Sequence, residues 1–230
     1  MLSPRASIVG LSTRADNADS LLRDRARGLP LRRVDLESAL AVRPQLVVRT
    51  YGGDGHLLAA LERRGVRVLT LADAPDFGGV RRNIRDVAAA LGEAPAGEAL
   101  VADMDARLAR SAGAWRGRSA IYLTPKGFTA GPGTLPDSIL RAAGLTNAVR
   151  QPGFSEVPLE RFVLDPPKAV VLGFFDTDMF VNVTWAPGRH AVVQRILRER
   201  TIASLPGAMI DCADWGAALA VERLAAQAPR

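Results

Sequence analysis

The segment QLVVRTYGGDGHLLAALERRGVRVLTL (45–71) decides the fold class of this chain. It contains a short run of β-branched and apolar residues, a glycine-rich turn, a stretch with helical periodicity and a second apolar run. Continuous apolar runs separated by helix-length segments are typical of parallel strands that are buried on both faces. We therefore predict an α/β protein built from strand–helix–strand units.

The same alternation continues on both sides of this segment. Besides the runs QLVVRT (45–50) and RVLTL (67–71), strands are predicted at ASIVGL (6–11), SAIYLT (119–124), KAVVLGFF (168–175) and GAMID (207–211). Apolar residues at helical spacing predict helices at 35–42, 54–65, 134–144, 159–164, 190–200 and 214–226.

The longest helical pattern lies in the middle of the chain, from about Asp76 to Ala112. Gly92 and Pro95 interrupt it, since glycine suits the residue after a helix and proline suits a first helical turn. Strand–helix units lie on both sides of this stretch. We therefore predict an N-terminal α/β lobe at 1–75, a connecting helix at 76–115 and a C-terminal α/β lobe at 116–230, with mainly parallel sheets.

The composition excludes several classes of protein. With 230 residues, 48% of them hydrophobic, the chain is long and apolar enough to fold and is not a disordered protein. One cysteine, Cys212, excludes an intrachain disulfide scaffold and a cysteine zinc cage. The net charge of +6 comes from 28 arginines and two lysines that are interleaved with acids and do not cluster with aromatic residues, so we predict no nucleic-acid binding.

An internal repeat relates the two predicted lobes. VDLESALAVRPQLVV (34–48) aligns with VPLERFVLDPPKAVV (157–171) at a constant offset of 123 residues, with six identities in fifteen positions. Each copy predicts a short helix, a proline after it and a buried strand. Each helix also carries a glutamate in its first turn, Glu37 or Glu160, where the helix dipole favours a carboxylate.

The order of these segments resembles the class III substrate-binding proteins of ABC importers, the helical-backbone metal receptors that capture cobalamin, haem and ferric siderophores. The resemblance implies two α/β lobes joined by one long helix, and a metal chelate that is held in the cleft between the lobes and passed to a permease dimer in the inner membrane. It also implies a monomeric periplasmic binding protein that is not an enzyme and needs no cofactor. The residues that carry the resemblance are DLESALAVRPQLVV (35–48), LERRGVRVLTL (61–71), SAIYLTPKGFTAGPGT (119–134), ILRAAGLTNAV (139–149) and VPLERFVLDPPKAVVLG (157–173).

The resemblance also assigns a role to the repeated glutamates. In that family a surface glutamate on each lobe docks with arginines of the permease, and the matching residues here are Glu37 and Glu160. The family begins with a further strand and helix, and with a secretory signal or lipoprotein cysteine, ahead of the segment that matches SIVGLSTRADN (7–17). We expect that this sequence lacks that first strand–helix unit.

The candidate ligand site follows from the rule that ligands of open α/β sheets bind beyond the carboxyl ends of the strands. Aromatic faces bury the flat part of a chelate, and arginine or lysine pairs with its carboxylate or phenolate oxygens. For Phe174 and Trp215 a position in the core is the favoured alternative, and Tyr51 is either a surface residue of the turn or a phenolate ligand of haem iron. The candidate ligand residues in these loops are Arg49, Tyr51, Lys126, Phe128, Phe174, Trp185, Arg189 and Trp215.

Enzymes of several classes are alternatives to a binding protein. Strand 45–50, its glycines and Asp73 suggest a nucleotide- or NAD-binding enzyme, although Leu58 stands where the fingerprint needs its third glycine. Asp176 and Asp178 suggest a carboxylate pair for a divalent ion. A chelatase-like enzyme on a similar scaffold would need His56 or His190 as metal acceptor, and no residue is predicted as a resident metal ligand.

Overall fold

A computed structural model of the chain describes residues 2–17, 20–33, 35–50, 55–176 and 190–229. It is a mixed α/β structure with mainly parallel sheets, as predicted. The chain forms two compact units: unit 1 comprises Met1–Asp73 and Gly78–Val101, and unit 2 comprises Ala74–Phe77 and Ala102–Arg230.

The elements of the described residues alternate along the chain. The strands are β1 (Leu11–Ser12), β2 (Leu31–Arg32), β3 (Leu46–Arg49), β4 (Arg67–Thr70), β5 (Ser119–Leu123), β6 (Phe128–Ala130), β7 (Thr146–Asn147), β8 (Phe154–Glu156), β9 (Val170–Gly173) and β10 (Thr201–Leu205). The helices are α1 (Arg23–Ala26), α2 (Leu36–Ala41), α3 (Gly55–Glu62), α4 (Phe77–Leu91), α5 (Ala94–Ser111), α6 (Leu135–Ala142), α7 (Leu159–Leu164), α8 (Ala191–Arg200), α9 (Gly207–Ile210) and α10 (Gly216–Ala226), with short 3₁₀ turns at Arg5–Ser7 and Thr13–Asp16.

Unit 1 contains two separate parallel strand pairs among its described residues, β1 with β2 and β3 with β4. The helix α3 connects β3 to β4, whose register pairs Leu46 with Arg67, so this part is the strand–helix–strand unit that the sequence predicts. After α3 the chain turns at Gly65, which has φ +77°, a conformation that glycine adopts without strain.

The central helical stretch of the chain is two helices. Gly92 has φ +75°, its N–H donates to the Ala89 carbonyl and the next N–H donates to the Ala88 carbonyl, which together form a Schellman motif. The helix α5 then begins at Ala94 with Pro95 in its first turn. The predicted interruption at Gly92 and Pro95 is therefore confirmed.

The helices α4 and α5, which lie on either side of this break, pack closely against each other. Gly97 of α5 faces Ala88 of α4 so closely that a Cβ at Gly97 would collide with the Ala88 side chain. The guanidinium of Arg85 makes a two-pronged ion pair with Glu98, with N–O distances of 2.7 and 3.0 Å. Both contacts lie within unit 1.

Unit 2 is built on a four-stranded parallel sheet with the order β10–β9–β5–β7. Ile121, Leu123 and Val170 lie on one face and form a hydrophobic cluster with Phe162, Val193 and Ile196 from α7 and α8. The antiparallel ribbon β6–β8 lies outside this sheet. The indole of Trp115 is buried and donates to the Leu224 carbonyl at 2.9 Å, which joins the segment after α5 to α10.

A buried network of polar side chains holds together the segment GPGTLPDSILRAAGLTNAV (131–149). Thr134 caps α6 by accepting from the Asp137 N–H at 3.3 Å and donates to the Gly131 carbonyl at 2.7 Å. The buried Asp137 accepts from Asn147 Nδ2 at 2.8 Å and from Arg141 Nε at 2.9 Å. These side chains satisfy one another, so this motif has a structural role within unit 2.

Two predicted strands are wrong. The run ASIVGL (6–11) is extended into a strand only at its end, because Arg5–Ser7 forms a 3₁₀ turn and β1 begins at Leu11. GAMID (207–211) is the helix α9, which follows Pro206 at its N-cap. The strand of this region is TIASL (201–205), which begins directly after α8 without a turn residue between them.

Candidate functional site

The carboxyl edge of the unit 2 sheet gathers three of the loops that follow strands. The strands β5, β9 and β10 are parallel neighbours, so their carboxyl ends meet at one edge. In open α/β sheets ligands bind at this edge. Residues 124–128, 174–176 and 206–207 follow these strands directly.

The turn after β5 presents Lys126 and Phe128. The Gly127 N–H donates to the Thr124 carbonyl at 2.9 Å, and Gly127 has φ +79°, so the chain reverses sharply. The Thr124 hydroxyl accepts from the Phe128 N–H at 3.1 Å and fixes the start of β6. Lys126 is exposed at the tip of this turn, and Phe128 is half-buried.

The loop after β9 begins with a residue in an unusual conformation. Phe174 has φ +65°, a left-handed conformation that costs free energy for any residue other than glycine, and it is half-buried. Two residues later Asp176 Oδ1 accepts from the Gly207 N–H at 2.9 Å. This bond ties the loop after β9 to the loop after β10.

Trp215 lies further from the strand end than the sequence predicts, because α9 intervenes between β10 and this residue. Its indole N–H donates to Asp103 Oδ2 of α5 at 3.0 Å, and the guanidinium carbon of Arg107 lies 5.3 Å from the centroid of the ring. A cation at that distance is attracted to the face of the indole. The half-buried Trp215 is therefore held against α5 within its own unit.

Sequence reasoning missed the charged cluster around Trp215. Arg107 binds Asp103 at 2.8 Å and Glu222 of α10 at 2.7 Å, and Arg110 binds Glu222 at 2.9 Å. The hydrogen bonds from Arg107 and then from the Trp215 indole lower the pKa of Asp103. Burial acts to raise the pKa of Glu222, but the bonds from Arg107 and Arg110 outweigh it and the pKa is lowered.

The remaining predicted ligand residues fall in other places. Arg49 is the last residue of β3 in unit 1 and is half-buried. Tyr51, Trp185 and Arg189 lie outside the described residues. The structure therefore places Lys126, Phe128 and Phe174 at the carboxyl edge of unit 2 and describes no geometry that joins Arg49 to them.

The two predicted docking glutamates occupy equivalent positions. Glu37 and Glu160 are the second residues of α2 and α7, two six-residue helices whose bounds differ by the same offset of 123 as the sequence repeat. Both glutamates are exposed. Asp35 caps α2 by accepting from the Ser38 N–H at 2.7 Å, and this bond together with that from the Ser38 hydroxyl lowers the pKa of Asp35.

The histidines do not form a metal site with other side chains in the described part of the chain. His190 caps α8 by accepting from the Val192 N–H at 3.3 Å, and His56 is exposed in the first turn of α3. No group of three or more histidine, cysteine, aspartate or glutamate side chains is placed to hold a metal ion among residues 2–17, 20–33, 35–50, 55–176 and 190–229. Asp178 of the predicted carboxylate pair lies outside these ranges.

Two compact α/β units, with loops at the carboxyl edge of a parallel sheet, are typical of solute-binding proteins. The profile of the periplasmic binding protein family matches residues 7–208, and the chain belongs to that family. It is thus a substrate-binding protein of an ABC importer that acts outside the cytoplasm, and it is not an enzyme. The nucleotide-binding and chelatase alternatives are therefore excluded.

Solved structures share this fold. The apo form of the periplasmic heme-binding protein RhuT from Roseiflexus sp. RS-1 matches with a TM-score of 0.72 and 23% identity over 95% of this chain and 88% of that one. A possible iron-binding periplasmic solute-binding protein from Staphylococcus epidermidis matches with a TM-score of 0.73 and 15% identity over 96% and 90%. An Fe3+-hydroxamate transport protein from Saccharomonospora viridis matches with a TM-score of 0.64 and 20% identity over 95% and 83%.

A search of curated proteins found no relative with significant sequence similarity. Among the described helices, none has both the length and the apolar character that crossing a bilayer requires.

Proposed function

We propose that this protein captures an iron complex, either a ferric siderophore or haem, with cobalamin as the next choice, and delivers it to a permease dimer in the inner membrane. The observation that carries the proposal is the family match over residues 7–208. Its support for iron comes from the structural relatives, which include a heme-binding protein and an Fe3+-hydroxamate transport protein. The protein acts in the periplasm as a monomer.

The proposed ligand residues combine aromatic faces with cations. Lys126 pairs with an anionic oxygen of the chelate, and Phe128 and Phe174 cover its apolar part, since all three follow strands at the carboxyl edge of unit 2. Trp215 contributes less than these, because its indole N–H and one ring face are already held by Asp103 and Arg107. The other proposed ligand residues are Arg49, Tyr51, Trp185 and Arg189.

The proposed docking surface consists of Glu37 on α2 and Glu160 on α7. Their equivalent positions suit a partner with two similar basic sites, as a permease dimer has. One turn after Glu160, Leu164 is 84% exposed, which is unusual for a leucine without a partner and supports a contact surface on α7.

A ligand titration tests the proposed cargo. We expect haem, a ferric trihydroxamate or a ferric tris-catecholate to raise the melting temperature and to quench tryptophan fluorescence, because a ligand that binds only the folded state stabilises it. Cobalamin is the fourth probe. If none of the four probes binds or raises the melting temperature, the proposal is wrong.

A transport measurement tests the docking surface. With the importer's permease and ATPase in proteoliposomes, the double variant Glu37→Ala, Glu160→Ala should bind its cargo normally but support less than about a tenth of wild-type uptake, since charge-assisted contacts dominate such docking. The matched control is Glu62→Ala, Glu199→Ala, which removes one exposed helix glutamate from each unit. Full uptake by the first double variant would contradict the assignment.

A further inference from the structure

The buried hydroxyl of Tyr122 has no hydrogen-bond partner in the described part of the chain. Tyr122 is 1% exposed and lies in β5, one of the two interior strands of the unit 2 sheet. Such a hydroxyl is costly, because it gives up its bonds to water and gains none in return. Phenylalanine would fill the same space without this cost.

The hydroxyl points towards the carboxyl edge of the sheet. Tyr122 pairs in register with Val171 of β9, and residues two apart on a strand share a face, so Gly173 lies on the same face one step nearer the edge. A Cβ at Gly173 would lie 2.5 Å from Tyr122 Cζ and closer still to its oxygen. The ring therefore leans along the strands and places its hydroxyl over the last residue of β9, where only glycine leaves room.

The residue after Gly173 is also held in a conformation that costs free energy. Phe174 follows Gly173 and adopts φ +65°, although it is not a glycine. Strained residues are uncommon and concentrate at ligand sites, and an unpaired buried polar group is rare enough to require an explanation. Here the two lie side by side at the edge of the sheet where ligands of α/β proteins bind.

The other unpaired hydroxyls in the described residues lie elsewhere. Thr201 Oγ1 is at the first residue of β10, which pairs with Val170 at the opposite, amino end of β9. Thr129 Oγ1 follows Phe128 in the ribbon β6–β8 and belongs to no strand of the four-stranded sheet. Tyr122 is thus the one whose hydroxyl sits at the carboxyl edge of the described sheet.

We infer that the Tyr122 hydroxyl is a ligand group: it donates a hydrogen bond to an anionic oxygen of the bound chelate at the end of β9. Carboxylate, hydroxamate and catecholate oxygens are the acceptors of this class, and they pair more strongly with a hydroxyl than neutral acceptors do. Because burial raises the pKa of Tyr122, the hydroxyl keeps its proton and remains a donor. This inference rests on the proposed function, since it names one contact of the proposed cargo.

The conservative variant Tyr122→Phe tests the contact. It keeps the ring and removes only the oxygen, so we expect a melting temperature that is unchanged or raised, and a dissociation constant about tenfold higher for whichever of haem, the ferric trihydroxamate or the ferric tris-catecholate the wild type binds. The matched control Thr201→Val removes an unpaired hydroxyl at the other end of the sheet and should leave the dissociation constant unchanged. Wild-type affinity in Tyr122→Phe, or an equal loss in Thr201→Val, would overturn the inference.

A spectroscopic measurement reads the same contact without a variant at Tyr122. The chain has two tyrosines, so ¹³Cζ-labelled protein gives two resonances, and Tyr51→Phe identifies that of Tyr122. With Ga³⁺ in place of Fe³⁺ to avoid broadening, cargo should shift the Tyr122 resonance in the direction of a newly hydrogen-bonded phenol. An unshifted resonance in a saturated complex overturns the inference alone. If the wild type binds none of the probes, the proposed function has failed and the inference falls with it.

Discussion

The two units contain the same helix–strand pair but bury it differently. At the repeat offset of 123 residues, Val48 corresponds to Val171, and α2 and α7 have identical lengths. Val48 in β3 is 40% exposed, whereas Val171 in β9 is fully buried. The same local sequence therefore produces the same local structure in each unit, but not the same burial.

The difference comes from the sheets in which the strands lie. In the described residues β3 pairs only with β4, while β9 lies between β10 and β5 in a four-stranded sheet. A central strand has neighbours on both edges, and helices cover its faces, so an apolar strand of this kind loses almost all contact with water. Burial thus depends on residues far from the repeat in the sequence.

The buried side chains of the two units also differ in number and size. The described residues of unit 1 include few buried apolar side chains, and several of these are alanines: Ala26, Ala60, Leu61, Val66, Val80, Ile84, Ala88 and Val101. Unit 2 buries many more and larger ones, among them Tyr122, Phe162, Met104, Leu123, Ile139, Leu140 and Leu224. Since buried apolar area contributes about 25 cal/mol per Å² to stability, unit 2 is expected to be the more stable unit.

The largest expected effect is a separation of the two units on unfolding. All three tryptophans, Trp115, Trp185 and Trp215, lie in the residue range of unit 2, whereas far-UV circular dichroism reports both units. In a urea titration we expect part of the circular dichroism to be lost at a lower midpoint than the tryptophan signal, because unit 1 unfolds first. Coincident transitions would show that the smaller core of unit 1 does not limit its stability.

Substitution of the two equivalent valines tests the comparison directly. Val171→Ala removes buried methyl groups and should cost about 2 kcal/mol in the free energy of unfolding of unit 2. Val48→Ala removes the same atoms from a half-exposed strand and should cost less than about 0.5 kcal/mol. Both values come from urea titrations followed by tryptophan fluorescence and circular dichroism. Equal costs would mean that the two strands are equally buried in solution.

Local signals explain why much of the fold is predictable from the sequence. The ends of the helices lie close to their expected positions because the capping residues are visible: Asp35 before α2, Gly92 after α4 and Thr134 before α6. The sequence does not mark TIASL as a strand, because α8 runs into it without glycine or proline, and it favours a strand at GAMID, because that apolar run is bounded by proline and aspartate. Short apolar runs do not distinguish strands from short helices by pattern alone.

The candidate site is predictable only in part. The rule on carboxyl ends of strands identifies the loops with Lys126, Phe128 and Phe174. It does not identify the partners of Trp215, because Asp103 and Trp215 are 112 residues apart in the sequence. Nor does it identify Tyr122, whose apolar neighbours in SAIYLT predict only a buried strand residue.

The smallest expected effect concerns the acid stability of each unit. Hydrogen bonds from Arg107, and then from the Trp215 indole, lower the pKa of Asp103, and a hydrogen bond from Arg85 lowers the pKa of Glu98. A carboxylate whose pKa is lower in the folded protein stabilises it above the pKa of the unfolded chain, and this stabilisation is lost as the pH falls. The stabilisation that Glu98 and Asp103 contribute should therefore stay constant from about pH 7 to about pH 5 and be lost progressively below about pH 4.

Glu98 and Asp103 lie five residues apart on α5, on opposite sides of the boundary between the units, so each reports on its own unit. Asp103→Asn should lower the urea midpoint of the tryptophan signal at neutral pH and make that midpoint depend less on pH in acid. Glu98→Gln should have the same two effects on the earlier circular dichroism transition. The effects are small because both carboxylates are solvated. If either variant shifts both transitions equally, the two units unfold together. The difference between their cores then does not make their unfolding independent.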